Sequence, residues 1–137
     1  MKEEEFRNNL ISDLNSQNIN VINLKGGTFD IIIEGNRPFI GEIKRVTKGG
    51  HRGFEENEKG FSFTEEQTKE IHKMRFPPFV VAFYQKDCYF LEPDWVKREV
   101  ADLIEYKTAI LYFSVRPFPT PMTYSEIIKE IIKFINN

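Results

Sequence analysis

The architecture turns on GGTFDIIIEGNRPFIGEIKR, residues 26–45. Two runs rich in isoleucine and phenylalanine, TFDIII and PFIGEIKRV, flank EGNRP, whose glycine, asparagine and proline are turn formers. The stretch therefore reads as a β-hairpin. Yet Asp30, Glu42 and Lys44 stand among residues that otherwise belong in an interior. A charge in an apolar setting costs free energy unless something pairs or binds it. The three residues thus lie on a solvated face or form a site.

Side chains alternate along a strand, so Glu42 and Lys44 share a face while Gly41 and Ile43 point the other way. Where Asp30 points depends on the turn. A two-residue Gly35-Asn36 turn pairs Glu34 with Arg37 and Asp30 with Gly41, placing the two carboxylates on opposite faces. A three-residue loop, Gly35-Asn36-Arg37, pairs Glu34 with Pro38 and Asp30 with Glu42. Their Cβ atoms are then about 5 Å apart and the like charges repel. A divalent cation removes that objection, because Mg²⁺ is commonly held by one or two carboxylates with waters and substrate phosphate. The two-residue turn leaves Glu42 and Lys44 as surface charges. Apolar neighbours on both sides of each polar residue favour strands buried on both faces, which have little room for idle charge.

Around the hairpin, the chain alternates helical and extended patterns. Residues 3–16 carry Phe6, Leu10, Ile11 and Leu14 on one stripe, with acids in the first turn, and read as an amphipathic helix. INVINL gives a first strand. After the hairpin, TKGGHRGFEENEKG is rich in glycine and charge and reads as a mobile loop. SFTEEQTKEIHKMRF follows as a helix with two overlapping capping boxes, Ser62 with Glu65 and Thr64 with Gln67. FVVAFY and CYFL read as strands paired across QKD. A third helix over PDWVKREVADLIEY, a strand over TAILYFSV and a rigid RPFPTPM connection come next. The last helix opens on a Thr123–Glu126 capping box and carries Ile127, Ile128, Ile131, Ile132 and Ile135 on one face. With no repeats and no linker, the order αβββαβ(β)αβα predicts one α/β domain over residues 1–137, a central mixed sheet flanked by helices.

Size and composition bound the function. A chain of 137 residues buries about two-thirds of its unfolded surface. It is 40% hydrophobic and 29% charged, as soluble proteins are. No apolar run approaches the roughly 20 residues of a membrane span. The MKEEEF start lacks the apolar core of a signal peptide, and the single Cys88 excludes an internal disulfide. These features predict an intracellular, cytoplasmic protein. The formal net charge of −2 does not advertise nucleic-acid binding, but residues 25–52 hold six basic residues against three acids. Screening limits distant charges to about 8–10 Å, so a basic segment can hold phosphate within an acidic chain. Lys25, Arg45, Lys48 and Arg52 are the candidates; a solvated surface explains the same residues.

Asp30 and Glu42-Ile43-Lys44 together resemble the signature of the PD-(D/E)XK nuclease superfamily, an acid at the start of one strand and E-x-K in the next. The KGG before Asp30, the strand contexts and the helix on either side of the hairpin fit as well. Within that superfamily the chain is similar to the archaeal Holliday junction resolvases, which are also short and carry a Gln in the following helix, here Gln67. The resemblance covers roughly residues 3–92. Two departures stand out: Phe29 precedes the aspartate where proline is usual, and Arg7 falls near a first-helix Glu of the resolvases, with Glu3 and Glu5 as nearby acids.

The resemblance implies a restriction-endonuclease-like fold and Mg²⁺-dependent (or Mn²⁺-dependent) hydrolysis of phosphodiester bonds in DNA. Asp30, Glu42 and the backbone carbonyl of Ile43 would hold the metal. Lys44 would orient or deprotonate the attacking water, Gln67 would position it, and Thr28 would touch the phosphate. It further implies branched DNA as substrate and a homodimer, since resolvases cut two symmetric strands. Phe113 and Phe118, with their prolines, are candidates for the subunit surface. Each role has a plainer counterpart: Gln67 as capping partner, Thr28 as a β-branched strand residue, the isoleucine stripe as core. A nucleic-acid-binding or assembly protein without turnover, and a restriction-type or RNA-processing nuclease, are the competing functions.

Overall fold

The computed structural model describes residues 1–49, 58–103 and 109–137. Its elements are α1 (Glu3–Ser16), β1 (Val21–Asn23), β2 (Ile31–Glu34), β3 (Pro38–Arg45), β4 (Thr47–Lys48), β5 (Lys59–Phe63), α2 (Glu65–Lys73), β6 (Phe79–Tyr84), β7 (Asp87–Leu91), α3 (Pro93–Val100), β8 (Ala109–Tyr112) and α4 (Tyr124–Ile135). The main sheet has five strands in the order β1-β2-β3-β6-β7. Its β3–β6 pair is parallel and the other pairs are antiparallel. The expected central mixed sheet flanked by helices is present. A parallel neighbour requires a crossover, and β4, β5 and α2 form it.

The sheet separates two cores. On one face, α1 supplies Phe6, Leu10 and Leu14 and α4 supplies Ile127 and Ile131. Odd-numbered residues of β3 and β6, among them Phe39, Ile43 and Val81, meet them there. Phe6 stacks on Phe83 with ring centroids 4.4 Å apart. On the other face, Val80 and Ala82 pack with Phe63 of β5, Ile71 of α2 and Trp95 and Val96 of α3. Strand β6 is thus buried on both sides, which explains its unbroken apolar run. Glu42 and Lys44 point toward this second face and are buried beneath α2 and β5.

The hairpin takes the three-residue turn. Glu34 pairs with Pro38 and Ile31 with Gly41, the register that sets Asp30 against Glu42. The turn is held from α4, where the Ile135 carbonyl accepts from the Asn36 N–H at 2.9 Å. That approach leaves no space at Gly35, where a Cβ would run into the Ile135 carbonyl.

Several sequence expectations require correction. Ser62 caps no helix: it pairs with Ile110 in β5, between the buried Phe61 and Phe63. Helix α2 starts after Thr64, whose capping box with Gln67 is complete. The segment 47–60 is not all loop, since β4 and β5 form its two ends and β8 joins them in a second, three-stranded sheet. The third helix gives way after Val100 to a 3₁₀ turn, Ala101–Leu103, and the rest of its expected span, residues 104–106, lies outside the described residues. β6 and β7 join through a two-residue turn, with Gln85 at φ +53°. Phe113 and Phe118, the candidates for a subunit surface, are partly buried and stack on each other at 3.8 Å, and Phe118 also packs against Trp95 and Phe61.

Candidate active site

The site forms where β2 stops pairing. The β2 ladder begins at Ile31, so the N–H of Ile43 lacks the strand partner it would find further along. Asp30 Oδ2 accepts it instead, at 2.8 Å. This contact fixes the Asp30 carboxylate beside Glu42. Ile43 enters the site through its backbone, while its side chain lies in the first core.

Gln67 joins the remaining groups. Its Oε1 accepts from Lys44 Nζ at 2.9 Å and from the Thr64 N–H at 3.1 Å. Its Nε2 donates to the Thr28 carbonyl at 2.9 Å and to Glu42 Oε2. The residue is therefore both the capping partner and a member of the site. Lys44 Nζ is 3.1 Å from Glu42 Oε2 and lies over the Phe63 ring. The Thr28 hydroxyl donates to Glu66 Oε1 at 2.8 Å, so its side chain is engaged by an acid.

Glu42 is 4% exposed, and its Oε1 has no hydrogen-bond partner among the described residues. A buried polar atom without a partner is costly. Burial, opposed by Lys44 and reinforced by Asp30, pushes the Glu42 carboxyl up to about 8. The donor set suits a hard divalent cation: two carboxylates, one with a buried open oxygen, and no sulfur or imidazole among them. A third acid is absent, since no cluster of three His, Cys, Asp or Glu occurs among the described residues. Mg²⁺ or Mn²⁺ would have to complete its shell with water and phosphate.

The first helix brings a cation where the resolvase resemblance places an acid. Arg7 Nη1 lies 3.3 Å from Asp30 Oδ1. Glu3 does not replace the missing acid; its Oε1 accepts from the Arg45 N–H at 2.8 Å. Sequence gave the departure at Arg7 but no sign that it pairs with Asp30, because the two are 23 residues apart and share no periodicity.

The structure thus gathers Thr28, Asp30, Glu42, Ile43, Lys44 and Gln67. It does not bring in the other proposed DNA contacts. Lys25, Arg45 and Lys48 are exposed and stand outside this network. Arg45 sits on the opposite face of β3 from Lys44, in a depression it shares with Met1, Lys2, Glu4, Glu5 and Asn8. Arg52 lies outside the described residues. No described helix is long and apolar enough to cross a membrane.

No known family profile and no curated protein matches the chain. Among solved structures it is similar to a bacterial homing endonuclease, I-Ssp6803I, with 13% identity and a TM-score of 0.48 over 97% of this chain and 91% of that one.

Proposed function

We propose that this chain is a metal-dependent DNA endonuclease of the PD-(D/E)XK type. The observation that carries the reading is the buried Glu42 Oε1, left open beside Asp30 and backed by Lys44 and Gln67. Asp30 and Glu42 would hold a divalent cation through their facing oxygens. When bound, such an ion supplies Lewis acidity that offsets charge building on the scissile phosphate and acidifies a nearby water.

The chain's own residues do the positioning. Gln67 holds Lys44 Nζ from one side and Glu42 from the other, so the ammonium is aimed before substrate arrives. A preorganised cation at the phosphate contributes most in a site from which water is excluded, and Lys44 is buried. Lys44 also serves to orient the water that attacks. The resemblance to resolvases supports branched DNA as substrate and a homodimer as the acting species.

A second reading has one observation in its favour. Each acid already has a basic partner, Arg7 for Asp30 and Lys44 for Glu42, a pairing that a DNA-binding protein without turnover would keep. Cleavage of a labelled four-way junction and its matching duplex, in Mg²⁺ and in EDTA, separates the two. Mg²⁺-dependent nicking lost in Glu42→Gln supports the nuclease, and restriction to the junction supports the resolvase-like substrate. Folded protein that binds both DNAs and cuts neither supports the binding protein.

A further inference from the structure

Arg7 has no part in the metal-dependent reading so far, and its contacts set it apart from the other cation of the site. We infer that Arg7 is a resident cation that an incoming divalent metal must displace from Asp30, so that this arginine sets the metal affinity of the site. The inference rests on the metal-dependent reading above and deepens it.

Each of the two opposed carboxylates has its own cation, Arg7 for Asp30 and Lys44 for Glu42. The two are not held alike. Lys44 Nζ has Gln67 Oε1 at 2.9 Å and the Phe63 ring beneath it, with its side chain only 10% exposed. Arg7 reaches Asp30 with one nitrogen at 3.3 Å, and its Nε is buried with no hydrogen-bond partner among the described residues. Its side chain is 22% exposed, so a path to solvent exists.

While Arg7 remains, Asp30 has one donor on each of its oxygens. Its Oδ2 takes the Ile43 N–H, and its Oδ1 takes the guanidinium. A cation settling on the open Glu42 Oε1 must draw its second carboxylate oxygen from Asp30. Two positive groups sharing one carboxylate repel strongly where water is scarce. Of the two, the singly held guanidinium is the one free to leave. Because Phe6, Leu10 and Leu14 anchor α1 on the sheet, the displaced side chain stays tethered at the site, where a guanidinium is suited to bind phosphate.

The test uses Mn²⁺ alone, titrated by calorimetry into the full chain without DNA. Wild type is compared with Arg7→Met, Arg7→Gln, Arg7→Lys and Glu42→Gln, each checked for cooperative melting. The neutral variants should bind Mn²⁺ about tenfold more tightly, and Arg7→Lys should stay within about threefold of wild type. Glu42→Gln should abolish the binding. Unchanged or weaker Mn²⁺ affinity in both neutral variants, with binding still dependent on Glu42, overturns the displacement and leaves the metal site standing. Absence of any Glu42-dependent binding in wild type and neutral variants alike overturns both.

Discussion

Gln67 donates its amide to Glu42 Oε2, while the opposite oxygen of the same carboxylate, Oε1, is buried with no partner among the described residues. One helix residue thus fixes one edge of the acid and leaves the other edge open. Removing the acid should separate the stability of the site from its chemistry. In EDTA, Glu42→Gln removes a desolvated carboxyl and should unfold at the same or a higher denaturant concentration than wild type. In Mg²⁺ the same variant should lose DNA cleavage by about 10²-fold or more. Parallel urea melts and single-turnover cleavage check the pair; loss of both stability and activity would make Glu42 a structural residue.

The raised Glu42 carboxyl gives stability a direction with pH. Its value in the fold is about 8, against 4.5 ordinarily. Between those values the folded chain keeps a proton that the unfolded chain has released, so stability falls as pH rises. The contribution is complete below about pH 4.5 and gone once pH passes about 8, with a slope of at most about 1.4 kcal/mol per pH unit. Metal-free wild type should therefore be less stable at pH 8 than at pH 6, and Glu42→Gln should flatten that difference. Denaturant melts at the two values in EDTA decide it; a wild type that gains stability over this range contradicts the assignment.

A saturating divalent cation should cancel the trend, since binding needs the ionised carboxylate and so strengthens with pH as the metal-free fold weakens. Mn²⁺ at about 100 times its dissociation constant stabilises by about 2.7 kcal/mol. The melting temperature of wild type should rise with Mn²⁺, more at pH 8 than at pH 6, and that of Asp30→Asn with Glu42→Gln should not move.

The turn at Gly35 tests what fixes the hairpin register. The Ile135 carbonyl occupies the space that a Cβ would need. Gly35→Ala should cost about 1–3 kcal/mol by overpacking, read as a shift in the urea midpoint. Cleavage per folded molecule should be retained, because the substitution lies at the other end of β3 from Glu42.

These relationships mark what the sequence could carry and what it could not. Helices α1 and α4 are legible because apolar stripes, the acids in the first turn of α1 and the Thr123–Glu126 box of α4 are local signals, and α4 runs Tyr124–Ile135 after that box. The hairpin is legible too, but local sequence leaves its register open between two turns. The contact that settles it joins Asn36 to Ile135, about a hundred residues away. For the same reason the second sheet was missed, since β5 pairs with β8 across some fifty residues. Ser62 and Thr64 offered equal capping signals. Only the burial of Phe61 and Phe63 on that second sheet shows that Ser62 belongs to a strand. Arg7 was visible as a departure from a motif, yet its partner Asp30 follows from tertiary packing alone.

Lys44 offers the sharpest separation of metal binding from chemistry. Its ammonium touches Glu42 and Gln67, whereas its aliphatic stem is covered in the fold. Lys44→Met keeps the stem and removes the charge. Both carboxylates remain, so Mn²⁺ binding should persist, tightened if anything by the loss of a nearby positive group. Cleavage should nonetheless fall by about 10²–10⁴-fold, the usual contribution of a positioned acid–base group. Burial would then raise the Glu42 carboxyl unopposed, since Lys44 is the group that lowers it. The metal-free variant should accordingly lose stability with rising pH to a higher limit than wild type. Calorimetric Mn²⁺ titration, cleavage and pH-dependent melts on the one variant give three readings. Lost Mn²⁺ binding would make Lys44 part of the scaffold of the metal site, and unchanged cleavage would remove it from the reaction.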